Sequence, residues 1–181
     1  MTDRLEASPI IAAVRESTFD KALSSPAEVL FCLESSLLTV GEQIQKAHAC
    51  NKVIFIHMDL ATGIGKDKAG LQYLAQLGVD GIISTRAPLI RAAKELGLLT
   101  VQRFFALDSQ GMDSVQEMLR TANPHYMEIM PGVLPKIIRR FSGSTIPVIA
   151  GGLIETKSEV TAALSSGATA ISTGKVELWE L

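Results

Sequence analysis

Eight short apolar runs punctuate this chain at near-regular spacing. They are Ile10–Val14, Val29–Leu33, Val53–Met58, Gly81–Ser84, Leu98–Gln102, Tyr126–Met130, Val148–Ala150 and Ala170–Thr173. Strands that read as apolar without interruption are buried on both faces, which is the signature of a parallel sheet. Segments with helical spacing lie between them, among them Leu89–Leu96, Ser114–Ala122, Pro135–Phe141 and Lys157–Ser165. The ends agree: Thr156 stands three residues before Glu159, a capping-box spacing, and Gly97, Gly143 and Gly167 fall where helices should stop. Alternating strand and helix demands right-handed crossovers. Eight such units without a partner domain predict an α/β fold: one compact (β/α)8 TIM-type barrel spanning residues 1–181.

The spacing also predicts a trimmed barrel. Strand centres run from about residue 11 to about residue 171, roughly 23 residues per unit against about 31 in a typical barrel of ~250 residues. Only Lys175–Leu181 follow the eighth run, so the eighth helix should be absent or reduced. This predicts exposed barrel wall, partly covered by Val176, Leu178 and Trp179, and marks that wall as a candidate homo-oligomer interface.

Composition excludes several classes. Hydrophobic residues make up 47% of the chain, yet no run reaches membrane-helix length, and Met1–Glu6 lack the apolar stretch of a signal peptide. Cys32 and Cys50 show neither metal spacing nor a disulfide framework, which predicts a cytoplasmic location. No metal or cofactor is expected. The net charge of −2 and pI of about 5.9 mean that any nucleic acid must find a local basic patch.

The last third carries the clearest chemistry. Pro147-Val-Ile-Ala-Gly-Gly-Leu-Ile-Glu155 and Ala168-Thr-Ala-Ile-Ser-Thr-Gly-Lys175 are two strands that each run into glycine. Backbone N–H groups at such turns form a site for a phosphate dianion. Their place after the seventh and eighth strands is where β/α barrels bind phosphate. Gly151, Gly152, Thr173 and Gly174 are the predicted phosphate contacts.

Barrel chemistry collects at the C-terminal strand ends. Those ends hold Arg15, Glu34, His57 with Asp59, Thr85 with Arg86, Gln102 with Arg103, Glu128, Gly151 with Gly152, and Ser172 with Thr173. Arg15, Arg86 and Arg103 suit an anionic ligand. His57 and Asp59 read as an acid and base, as two ligands of a divalent metal, or as a pair satisfied by hydrogen bonds. Glu128 reads as a general base or as the partner of an arginine.

The resemblance to a known family rests on motifs in order along nearly the whole chain. They are Pro9-Ile-Ile-Ala-Ala-Val-Arg15, His57-Met-Asp-Leu60, Gly81-Ile-Ile-Ser-Thr-Arg86, Val101-Gln-Arg-Phe104 with Leu107-Asp-Ser109, Glu128-Ile-Met-Pro-Gly132, Pro147–Ile154, and Ser172-Thr-Gly174 with Leu178-Trp179. Together they resemble the glycerol-3-phosphate-responsive antiterminators, regulators of bacterial glycerol uptake operons. The resemblance implies a β/α barrel that senses glycerol 3-phosphate and acts on leader mRNA to prevent termination. Ligand hydroxyls would then meet some of Arg15, His57, Asp59, Arg86, Gln102, Arg103 and Glu128.

RNA contact does not follow from the residues alone. Lys136, Arg139 and Arg140 form one candidate basic surface, Arg91 with Lys94 a second, and Lys66 with Lys68 a third. Aromatic content of 5% argues for recognition of phosphates and shape over base stacking. The alternative is a barrel enzyme acting on a small phosphorylated substrate through His57, Asp59 and Glu128. No lysine sits at a strand end, which argues against a lysine-dependent aldolase.

Overall fold

The structure is a computed structural model that describes residues 1, 4–5, 8–106 and 109–181, with side chains left out for 109–114. Of the family-like motifs, Leu107 and Asp108 lie outside the described residues. Eight strands pair in parallel in sequence order and close into a barrel. They are β1 (Ile10–Val14), β2 (Val29–Cys32), β3 (Val53–His57), β4 (Gly81–Ser84), β5 (Leu99–Phe105), β6 (Tyr126–Met130), β7 (Val148–Gly151) and β8 (Ala170–Thr173). Closure comes from β8 pairing with β1, Ile10 with Ile171 and Ala12 with Thr173.

The strands alternate with seven α-helices among the described residues: α1 (Phe19–Ser24), α2 (Val40–Ala49), α3 (Lys68–Gln76), α4 (Ala87–Glu95), α5 (Ser109–Ala122), α6 (Pro135–Phe141) and α7 (Lys157–Ser165). Their starts follow from local chemistry. Asp67 accepts from the Gly70 N–H ahead of α3, and Thr156 with Glu159 completes a reciprocal capping box ahead of α7. Pro88 and Pro135 occupy the first turns of α4 and α6, where a missing N–H costs nothing.

Strand alternation sorts the core into two layers. Ile11, Val29, Phe31, Phe55, Ile83, Val101, Tyr126, Ile149 and Ala170 fill the barrel. Ile10, Ala12, Leu30, Ile54, Ile56, Ile82, Phe104, Met127, Ile129, Ala150 and Ile171 face the helices. The Phe31 and Phe55 rings meet edge to face at 5.4 Å inside the barrel. Leu5 joins the interior cluster, while Arg4 holds that segment down through Glu28 and Asn51.

The expectation of a reduced eighth helix holds, but the exposed wall does not. After β8 the chain forms a 3-10 turn, Val176–Glu180, that lies against β1 and α1. Trp179 is fully buried, and its indole N–H donates to the Thr173 carbonyl at 2.8 Å. The wall residues Ile10, Ala12, Val14 and Ile171 are at most 1% exposed. One large aromatic thus covers the gap in place of a helix, which removes the bare wall as an argument for an oligomer. Trp179→Ala should leave an unfilled cavity there and cost about 3–5 kcal/mol, read as a lowered midpoint in equilibrium denaturation.

Candidate functional site

The floor of the barrel mouth is an ion pair. Arg103 on β5 and Glu128 on β6 are register partners, and both point inward. Arg103 Nε donates to Glu128 Oε2 at 2.6 Å, with the side chains 7% and 1% exposed. The β5 strand runs to Phe105, past the predicted end at Gln102, because Phe105 still pairs with Met130. Glu128 Oε1 is buried without a hydrogen-bond partner. It occupies the space that a Cβ at Gly151 would need. Gly151 is therefore a glycine because the Glu128 carboxylate lies against it.

His57 closes the β3 side of this floor. It is 4% exposed, and its Nδ1 has no partner. Burial, with the nearby Arg103 cation as the next cause, lowers its pKa to about 4. The imidazole is thus neutral at ordinary pH.

Above the floor opens a cavity of about 350 Å³, walled by the β7 and β8 turns and the end of β1. Arg15, Gly152, Ser172, Gly174 and Lys175 line it beside the ion pair. Gly152 adopts φ +77°, which turns the chain away from β7. A Cβ added at Gly174 would meet only the Ala13 carbonyl oxygen, at an ordinary 3.6 Å. Packing within the protein does not require that glycine. Arg15 pairs with Glu34 at the rim, and Glu34 also accepts from the Glu16 N–H. That N–H, with Arg15 second, holds the Glu34 carboxyl below its ordinary pKa.

Other residues of the expected set lie elsewhere or offer only main chain; Thr173 lines the cavity through its backbone. The Thr173 side chain faces away from the cavity, on the side of Ile171. Its hydroxyl donates to the Ile154 carbonyl and accepts from the Lys175 N–H. Gln102 shares the helix-facing side of β5 with Phe104, away from the mouth, and both amide atoms are buried without partners. Asp59 accepts from the Thr85 N–H at 2.7 Å, from the Ser84 and Thr85 hydroxyls, and from Arg86 Nε at 3.1 Å. Burial pushes its pKa up, but these donors outweigh burial and hold it below the ordinary value. Asp59 and Arg86 thus form a satisfied cluster on the β3–β4 rim, and no hydrogen bond joins Asp59 to His57. Among the described residues, no group of three or more metal-ligating side chains converges.

A family model described as glycerol-3-phosphate responsive antiterminator matches residues 10–179. The chain belongs to the glycerol-3-phosphate responsive antiterminator family. The uncharacterized protein YgcP of Escherichia coli strain K12 is 31% identical over 180 residues, covering 98% of this chain and 94% of that one. The glycerol uptake operon antiterminator regulatory protein of Listeria monocytogenes superposes with a TM-score of 0.90 at 32% identity, covering 96% of this chain and 95% of that one. The glycerol uptake operon antiterminator-related protein of Thermotoga maritima gives 0.85 at 32%, covering 95% and 98%.

Within this antiterminator barrel, the polar cavity residues Thr18, Glu155 and Lys175 fall outside the expected set. Ser172 counts among the strand ends but not among the expected phosphate contacts; counting by twos from the interior Ala170 turns it inward and Thr173 outward. Lys175 reaches the cavity from beyond the strand, and only the turn geometry brings it back.

The buried neutral His57 makes stability pH-dependent. Its folded pKa lies below the unfolded value of ~6.5. Its contribution is therefore complete above about pH 6.5 and is lost as pH falls toward 4, to a total on the order of 3 kcal/mol. Urea midpoints of wild type should fall across that window. His57→Gln should flatten the decline while the contribution of His125, whose pKa burial also lowers, persists, and parallel curves for the two proteins would contradict the assignment.

Proposed function

We propose that this protein is a glycerol 3-phosphate-sensing transcription antiterminator that binds the leader mRNA of a glycerol uptake operon. The observation that carries the reading is the cavity at the β7 and β8 turns, lined by Arg15 and Lys175 beside Glu155 and floored by Arg103 and Glu128, in a chain of the antiterminator family. A volume of about 350 Å³ is at the small end of ligand sites, as a three-carbon polyol phosphate requires. The phosphate would take N–H donors from Gly152 and Gly174, the Ser172 hydroxyl, and the Lys175 and Arg15 cations. Thr173 would offer main chain only, and Gly151 would act beneath it by admitting the Glu128 carboxylate. The polyol hydroxyls would reach Arg103 and Glu128, with His57 below. Such a regulator works in the cytoplasm, where its transcript is made.

The reading assigns no catalysis. Asp59 is satisfied by four donors, Glu128 is held by Arg103, and His57 binds protons only weakly. An acid–base set of His57, Asp59 and Glu128 would need these groups free to exchange protons with one substrate. Ligand binding without turnover is the expected behaviour, and product formation from a phosphosugar panel would restore the enzyme alternative.

Gly174→Ala separates ligand from fold. Because the added methyl meets no crowding within the protein, stability should change by less than ~0.5 kcal/mol. Affinity for glycerol 3-phosphate, followed by calorimetry, should fall at least ~10-fold as one charge-assisted contact is displaced. Unchanged affinity would remove Gly174 from the site.

Gating has its own test. To shift a regulator from mostly inactive to mostly active, the ligand must favour the competent state by about 10⁴-fold, roughly 5.5 kcal/mol. Affinity for a glycerol uptake leader transcript should rise steeply on adding glycerol 3-phosphate. A titration that is the same with and without it would end the gating claim.

A further inference from the structure

Between Met118 and Leu153 the sequence carries four cationic side chains, Arg120, Lys136, Arg139 and Arg140, and one acidic one, Glu128. Glu128 is buried against Arg103, so the exposed charges of this stretch are cationic, with the exposed Glu117 of α5 standing just before it. All four cations are exposed. The helices bearing them, α5 and α6, flank a groove of about 760 Å³, and of the four cations Arg120 and Arg140 line it. Leu119 and Phe141 form its base, and Arg120, Asn123, Arg140 and Thr145 its edges. Lys94 of α4 reaches the same end of α5, donating to the Asn123 carbonyl. Among the described residues, no acidic side chain lines the groove.

We infer that the groove between α5 and α6 seats the sugar–phosphate backbone of a single RNA strand. A long groove with cations and amide or hydroxyl donors on its edges suits a chain of regularly spaced monoanions, which needs positive charge along its length. Its apolar base suits the sugars better than free solvent does. The groove is built from the helix-to-strand connections 123–125 and 142–147, and so lies at the end of the barrel opposite the mouth. Effector and RNA therefore occupy different ends of the molecule.

One physical link joins the two ends. The connection leading into α6 is tied to the β7 turn: the Gly132 N–H donates to the Gly151 carbonyl at 2.6 Å and the Gly152 carbonyl at 3.1 Å. A ligand that settles this turn bears directly on the start of the helix that carries Lys136, Arg139 and Arg140.

The inference rests on the proposed RNA-binding function, and the test separates the two. The full chain with saturating glycerol 3-phosphate is titrated with the leader transcript and with a scrambled RNA, each at several salt concentrations. Arg120→Ala/Arg140→Ala should weaken binding at least ~10-fold for both RNAs and lower the salt slope by about 1.4, since each lost single-strand contact removes ~0.7. The control Lys21→Ala/Lys157→Ala removes equal charge elsewhere and should leave the slope unchanged. Arg120→Gln, with one expected lost contact, serves if the double variant does not fold, and the thermal shift with glycerol 3-phosphate reports folding in each case. A wild-type chain that binds no RNA overturns the function reading itself. Retained affinity and slope in the variants, or an equal loss in the control, overturns the groove alone.

Discussion

Everything at the mouth depends on the ladder between β8 and β1. Once that pairing closes the sheet, each strand has two neighbours and one inner and one outer face, and alternation decides where every side chain goes. The strands are short, four to seven residues, so the interior holds little more than one apolar layer before the polar floor begins. Val101 and Tyr126 belong to that layer; Arg103 and Glu128, two residues further along the same strands, form the floor.

A buried ion pair is a poor source of stability, because desolvation of both charges offsets their attraction. Its position suggests another use. Packed between the apolar interior and the cavity, the Arg103–Glu128 pair keeps the mouth polar at its deepest point. Gly151 supports it by leaving room for the carboxylate. The mouth is divided in two. On the β3–β4 rim Asp59 is saturated by its neighbours, whereas on the β7–β8 side the donors of the turns and the Arg15 and Lys175 cations face the cavity.

Much of the fold was legible because it is local. Four of the expected strands, Ile10–Val14, Gly81–Ser84, Tyr126–Met130 and Ala170–Thr173, agree with the structure to the residue, as do the helices Pro135–Phe141 and Lys157–Ser165. Their patterns, caps and breakers lie within each segment. Which strand-end side chains face the barrel mouth was less legible. Gln102 and Thr173 are polar residues at strand ends, as a ligand site needs, yet both lie on the helix-facing side. Asp59 read as an acid–base group, a metal ligand or the hydrogen-bonded partner of His57, and is engaged instead by residues 25 to 27 positions away.

By itself, then, the sequence determined the repeating strand–helix unit, the number of units, the parallel closure and the two glycine turns, because periodicity and backbone preference act over a few residues. Tertiary structure decided who meets whom. It set Glu128 against both Arg103 and Gly151, placed Trp179 over the wall that a missing helix would have left bare, and gave the Thr173 hydroxyl to the Ile154 carbonyl. Those partners are far apart in the chain, and only the closed ladder, which sets the register of all eight strands at once, brings them together.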